Sequence, residues 1–307
     1  MKALLVALAI VVGLQGDAVF AAAAQKSFAT LDEAVNAFVG AVRAGDRKAL
    51  VEILGPKGIP IVSSGDDVAD RAAFQRFVQE YEQSHRLEGG GGKVVLYVGA
   101  DDFPLPIPLV PDGPRWIWDT DAGDDEILFR RIGRNELSTI QVCLAYVEAQ
   151  WEYYSRDRGT GILEYAQHLE SSKGKRDGLY WETRPGERLS PLGPLVAEAR
   201  AAGYRRPEPG KRAPYHGYLY RLLLAQGPAA PGGAYDYVVQ GHMIGGFALV
   251  AYPATYAVSG ITTFIVSHDG VVYQKDLGPK TSQIANAMKI YNPDKTWTKV
   301  AVEMSAK

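Results

Sequence analysis

Hydrophobic positions recur with helical spacing soon after residue 25. Leu31, Ala34, Val35, Phe38 and Val42 fall on one helix face, and Thr30-Leu31-Asp32-Glu33 supplies the capping box that opens it. Gly45 stops this helix. A second runs from Asp46 as N-cap to Leu54, ended by Gly55-Pro56, and a third spans 70–84 with Phe74, Phe77, Val78 and Tyr81 on one face. The period then shortens: 93–99, 103–110, 115–119 and 126–132 read as strands or extended segments. Pro104, Pro106 and Pro108 lack an N–H, which confines the second of these to a sheet edge or a polyproline-like piece.

From Asn135 the helical period returns. Leu137, Ile140, Leu144, Val147, Trp151 and Tyr154 are spaced alternately three and four apart, which predicts one continuous apolar stripe on a long helix. A Gly-, Pro- and charge-rich stretch over 155–214 follows, with short helices expected at 163–168 and 194–202. Strands are then predicted over 215–224, 247–252, 261–267 and 271–275, the last two joined by the tight turn His268-Asp269-Gly270. The pattern predicts an α+β protein of two domains, helices on a curved sheet over 25–132 and a long helix on an antiparallel meander over 133–307.

Residues 1–24 read differently. Lys2 precedes an apolar run over 3–14, and alanines at 21–24 offer small-residue cleavage choices, the layout of a signal peptide. The run is too short for a helix that crosses a bilayer, which needs about 20 residues. The expectation is an exported chain, periplasmic or secreted, with no membrane span after cleavage. Composition adds 47% hydrophobic and 22% charged residues with net charge −2 and no basic stripe, which argues against nucleic acid as a partner. The one cysteine, Cys143, excludes an internal disulfide and reads as a small buried apolar residue.

Three resemblances sharpen these expectations. The order of helices and strands over 27–132 resembles the nuclear-transport-factor-like cone, a shape that can hold a small ligand in its concave sheet. Over 133–276, Asn135-Glu136 leading to Ala149-Gln150 and Tyr153, with the strand pair Phe264-Ile265-Val266 and Gly270-Val271-Val272-Tyr273, is similar to the globular head of type IV pilins and pseudopilins. A pilin's membrane helix would stand where the N-terminal domain lies, which speaks against assembly into a pilus by the usual route. Across the whole mature chain, Pro104-Leu105-Pro106-Ile107-Pro108-Leu109, Arg130-Arg131-Ile132-Gly133-Arg134-Asn135-Glu136, Lys175-Arg176-Asp177-Gly178-Leu179-Tyr180-Trp181, Gly232-Gly233-Ala234-Tyr235-Asp236-Tyr237 and the run 270–278 resemble a family of exported bacterial proteins known as a domain of unknown function. That resemblance implies export in a Gram-negative bacterium and supplies no catalytic residues.

Direct signs of chemistry are few. Metalloprotease, nucleophile-elbow, Cys-x-x-Cys and dinucleotide patterns are missing. The glycine run 89–92 fails as a phosphate loop because Val94 stands where Ser or Thr would hold magnesium, and it reads as a flexible linker. Ser267-His268-Asp269 cannot form a triad, since neighbouring strand residues face opposite ways. Asp119, Asp121 and Asp125 in the acidic run 119–126 offer carboxylates to a calcium ion, against the reading of a solvated hairpin connection. The run 157–164 has a calcium-loop outline, but Arg158 and Thr160 replace its acids. Trp181, Tyr218, Tyr220, Tyr235 and Tyr237, with Tyr180 and Tyr215, could stack on a glycan or a protein partner, against the reading of one buried sheet face.

These signs favour a non-catalytic protein of envelope interaction or assembly, needing no cofactor unless calcium occupies the acidic run. One alternative is a periplasmic hydrolase of cell-wall or glycan substrate using Glu148, Glu152 or Glu164 as acid and base, although Glu148 and Glu152 share a helix face as a solvated pair would. The other is a small-ligand carrier using the N-terminal domain.

Overall fold

The computed structural model describes residues 25–159, 161–207 and 211–301, so the expected signal peptide at 1–24 lies outside the described residues. The chain is α+β. Its first helix, α1 (Leu31–Ala44), is capped as its sequence requires: Thr30 Oγ1 accepts from Glu33 N at 3.1 Å, and the Glu33 carboxylate accepts from Ala29 N at 3.0 Å. Then come α2 (Arg47–Leu54), the single turn α3 (Ile59–Val62) and α4 (Asp67–Gln83), whose N-cap Asp66 accepts from Val68 N and Ala69 N.

The strands β1 (His85–Gly90), β2 (Lys93–Val98), β3 (Phe103–Pro104), β4 (Leu109–Asp112) and β5 (Arg115–Trp118) form one antiparallel sheet in the order β1-β2-β4-β5, with β3 on β2. Gly91 and Gly92, at φ 61° and 79°, make the two-residue turn between β1 and β2. The glycine run is therefore a hairpin rather than the linker its composition suggested, because both turn positions need the left-handed backbone that glycine adopts without strain. Helices and sheet enclose a core of Leu50, Ile53, Leu54, Leu96, Leu109 and Trp118, with Phe38 and Trp118 rings 4.9 Å apart.

The expected strand at 126–132 is absent. Those residues belong to α5 (Asp124–Tyr154), a single helix of 31 residues that crosses the expected boundary at 132/133. Asp124, Asp125 and Glu126 in its first turn suit the positive end of the helix, and Gly123 lies so close to Pro106 that an added Cβ would sit 2.4 Å from the Pro106 carbonyl group. The acidic run is thus a short 3₁₀ turn leading into a helix, not a hairpin connection.

Beyond α5 regular structure is sparse as far as residue 217. Strands β6 (His168–Glu170) and β7 (Gly178–Tyr180) pair in parallel, and α6 (Gly193–Ala201) forms where a helix was expected. The helix expected at 163–168 does not form: Tyr165 N and Ala166 N donate instead to Met243 O and Gln150 Oε1, so the segment is pulled straight. Next come β8 (Tyr218–Leu223) and the two-residue strands β9 (Ala225–Gln226), β10 (Tyr235–Asp236), β11 (Val238–Val239) and β12 (His242–Met243), then β13 (Ala248–Pro253), β14 (Thr262–Ser267), β15 (Val272–Asp276), α7 (Thr281–Ala287) and β16 (Thr298–Lys299). The principal sheet runs β16-β15-β14-β13-β8, antiparallel throughout. Every residue of β13 is buried, α5 lies across β14, β13 and β15, and α7 packs on β13.

The face that α5 buries differs from the predicted stripe. Leu137 is 68% and Trp151 45% exposed, while Thr139, Val142, Cys143, Tyr146, Val147, Gln150 and Tyr153 point inward. Thr139 and Gln150 are polar, so hydrophobicity alone could not place them on the inner face. Gln150 nevertheless satisfies itself completely: its amide donates to Ala166 O at 2.9 Å and to Tyr146 Oη at 3.1 Å, and its carbonyl accepts from Ala166 N.

Candidate functional site

The two cores meet at a cleft of about 350 Å³ walled by α4, α5 and the segment around Tyr204 and His216. In the sequence Arg130-Arg131-Ile132-Gly133-Arg134-Asn135-Glu136, every polar side chain but Arg134 has its own partner. Arg130 lies over the Phe103 ring at 4.6 Å and pairs with Glu126 one turn earlier. Arg131 donates to the carbonyls of Pro60, at 2.6 Å, and Ile61, which ties α5 to the first core. Asn135 Nδ2 donates to Ser259 O at 2.8 Å, and the Glu136 carboxylate accepts from Ile261 N and Thr262 N at 3.0 and 2.9 Å, which ties the same helix to the second.

Arg134 stands between these two anchors. Among the described residues it has no hydrogen bond or ion pair, and neither has Arg76, which faces it from α4. Both line the cleft beside Arg131. The Arg134 guanidinium is pressed below the ordinary arginine value by partial burial and then by the like charges of Arg76 and Arg130. The residue as a whole remains exposed, so solvent screens much of this effect. Arg131 is lowered the same way, burial first, with Asp70 opposing the shift. Arg76 and Arg134 thus face the cleft without an ion pair, while Asp70 partly answers Arg131.

The acids near the cleft are already engaged. Asp70, buried, accepts from Ser64 N and Oγ and pairs with Arg47 at 3.1 Å. Asp66, also buried, caps α4 and accepts from Tyr204 Oη and Gly217 N, each at 2.9 Å, reaching across from the first core to the second. Ala69, Ala72 and Ala73 form a small apolar wall, and Ser138 lies one turn beyond Arg134. Chemically the cleft offers two unengaged guanidinium forks, a third guanidinium that Asp70 partly answers, and a hydroxyl, groups of the kind that pair with anions.

The residues singled out from sequence lie elsewhere and are not gathered. Tyr218 and Tyr220 sit on β8 beneath α5. Tyr218 is fully buried and donates to Thr262 O at 2.9 Å, and Tyr220 reaches Thr139 Oγ1 at 3.4 Å. Burial pushes both phenols well above their ordinary value. Tyr237 is buried with its hydroxyl on Gln226 Oε1, while its neighbour Tyr235 is exposed. Trp181 is half-buried among Arg158 and Arg176, in a separate cavity of about 270 Å³ also lined by Glu152 and Arg188. Of the acidic run, Asp121 pairs with Lys57 at 2.8 Å and Asp125 is exposed in the first turn of α5. Among the described residues no group of three or more His, Cys, Asp or Glu is gathered as a metal ion needs. Glu152 pairs with Arg188, Glu164 with His242 at 2.9 Å, and Glu148 is exposed.

The cleft itself escaped the sequence reading as a site. Its residues come from three stretches, 64–76, 131–138 and 202–216, and only folding brings them together. The clustered arginines at 130–134 were the available signal.

Over residues 25–300 the chain matches, and belongs to, the family described as Protein of unknown function (DUF2950). No curated protein and no solved structure matched it. Among the described residues no helix is long and apolar enough to cross a membrane.

Proposed function

We propose that this protein acts by binding rather than by catalysis, as an exported component of the bacterial envelope, with the cleft between its two cores as the binding site and an anion as its ligand. One observation carries the reading: Arg76 and Arg134 face the same cleft with no carboxylate to answer them. Proteins seldom crowd like charges in a half-enclosed space without a partner, because the repulsion and the partial loss of hydration both oppose folding. An anion that bridges the two halves removes both costs. The long helix on an antiparallel sheet supports the pilin-head likeness of the C-terminal half, and the arrangement at the N-terminus of the sequence supports export.

The test is thermal denaturation of the purified protein against a panel of small anions, in parallel with Arg76→Ala and Arg134→Ala. A bound anion at 100 times its dissociation constant adds about 2.7 kcal/mol. Stabilisation of the parent that both variants lose is the expected result. Stabilisation unchanged by either variant would move the site elsewhere. Turnover of wall glycan abolished by Glu164→Gln would replace the binding reading with the hydrolytic one.

A further inference from the structure

We infer that the ligand of this cleft is a phosphate monoester carrying a small uncharged body; the inference rests on the anion-binding reading above and narrows it. Charge gives the first step. Arg76 and Arg134 are two guanidinium groups without a counter-ion, and Arg131, held by the neutral carbonyls of Pro60 and Ile61, is a third that Asp70 partly answers. Asp70 on the same wall shares Arg47 with Asp67, at 3.1 and 2.8 Å, so it offsets part of the Arg131 charge and leaves Arg76 and Arg134 uncompensated. A single carboxylate brings one charge and two oxygens and occupies one fork. A phosphate monoester brings about −1.5 to −2 charges and three terminal oxygens at neutral pH, enough to engage two forks at once.

Placement gives the second step. Arg131 and Arg134 are three residues apart on α5 and Ser138 follows Arg134 by four, so all three lie along one side of that helix, with Arg76 opposite on α4. The two forks approach from different helices and suit a tetrahedral group better than a flat one. The remaining wall, Val68, Ala69, Ala72 and Ala73, is apolar and built of short side chains, and Tyr204 and His216 stand on the far side. A cavity of about 350 Å³ exceeds what a phosphate group fills and leaves room for a body the size of glycerol or a sugar.

The same phosphate could come free in solution, on a small metabolite or on a lipid headgroup, and the experiment separates these. Isothermal titration of the purified protein uses inorganic phosphate, glycerol 3-phosphate and succinate, and co-sedimentation uses vesicles containing phosphatidic acid. Glycerol 3-phosphate, or the phosphatidic acid vesicles, should bind the parent, and Arg76→Ala and Arg134→Ala should each weaken that binding at least about tenfold. Arg134→Lys keeps the charge without the fork and should fall in between. Succinate should bind at least about tenfold more weakly than glycerol 3-phosphate. Melting curves of the unliganded variants should match the parent or lie above it, since losing either arginine relieves repulsion in the cleft. If succinate binds as tightly with the same arginine dependence, the phosphate assignment fails while the anion site stands. If no anion binds, or both alanine variants bind like the parent, both fail.

Discussion

His216 lies at the cleft with φ of 50°, a left-handed conformation that non-glycine residues seldom adopt. It is followed by Gly217, whose N–H donates to Asp66 across the two cores, so the turn aims that donor inward. The imidazole is half-buried, 4.1 Å from the Tyr215 ring, and burial lowers its pKa against the opposing pull of Asp66 and Glu198. The sign of the stability effect follows. The fold prefers the neutral ring, so its contribution is complete above the unfolded value of about 6.5 and is lost as pH falls from there through the lower folded value. His216→Asn keeps a residue that tolerates the left-handed backbone and removes the titration. Melting temperatures measured at pH 7 and pH 5 should fall less in the variant than in the parent; an equal fall would assign the acid sensitivity to other groups. Cys143 fits the reading made of it from sequence, fully buried with its thiol pushed up to about 12 by that burial.

At the scale of elements, most of the regular structure was legible because each helix and strand carries its own signal. Thr30 and Asp46 cap where sequence places them, and the four long C-terminal strands fall within two residues of their expected starts and ends, apart from the opening of β8. The failures share a cause. The segment 126–132 reads as a strand or extended piece from sequence, yet Ile127 packs on the first core while Phe129 is exposed, a division that a helix makes and the apolar run 127–129 conceals. Likewise α5 buries Thr139 and Gln150, which sequence patterning assigns to water. Gln150 is inside because the straightened segment at 165–166 offers its amide two backbone partners. Gln150→Leu would keep the volume and strand the N–H and C=O of Ala166. A loss of about 2–4 kcal/mol in unfolding free energy by chemical denaturation is expected, and a loss below about 0.5 kcal/mol would mean that water serves those groups instead.

For the molecule as a whole, what holds the two cores together is small and polar. Arg131 fastens α5 to the first core, Asn135 and Glu136 fasten it to the second, and Asp66 reaches across with a carboxylate shared among the N-terminus of α4, Tyr204 and Gly217. None of these partnerships is visible from composition or periodicity, since the partners of Asp66 lie 138 and 151 residues away. The anion site depends on the same arrangement: its arginines come from α4 and α5 and its far side from the turn that Asp66 holds. Asp66→Ala removes a helix cap, worth about 1 kcal/mol, and a buried and a partly buried hydrogen bond worth about 1 kcal/mol each. Unfolding free energy should fall by about 3 kcal/mol, and the two cores should separate into distinct denaturation steps, followed by hydrogen exchange of the amides in each core and by far-ultraviolet circular dichroism for the whole. Glu148→Ala, exposed on α5, should stay within about 0.5 kcal/mol of the parent. A single unshifted transition in Asp66→Ala would show that α5 alone couples the cores and that the carboxylate bridge contributes nothing to their alignment.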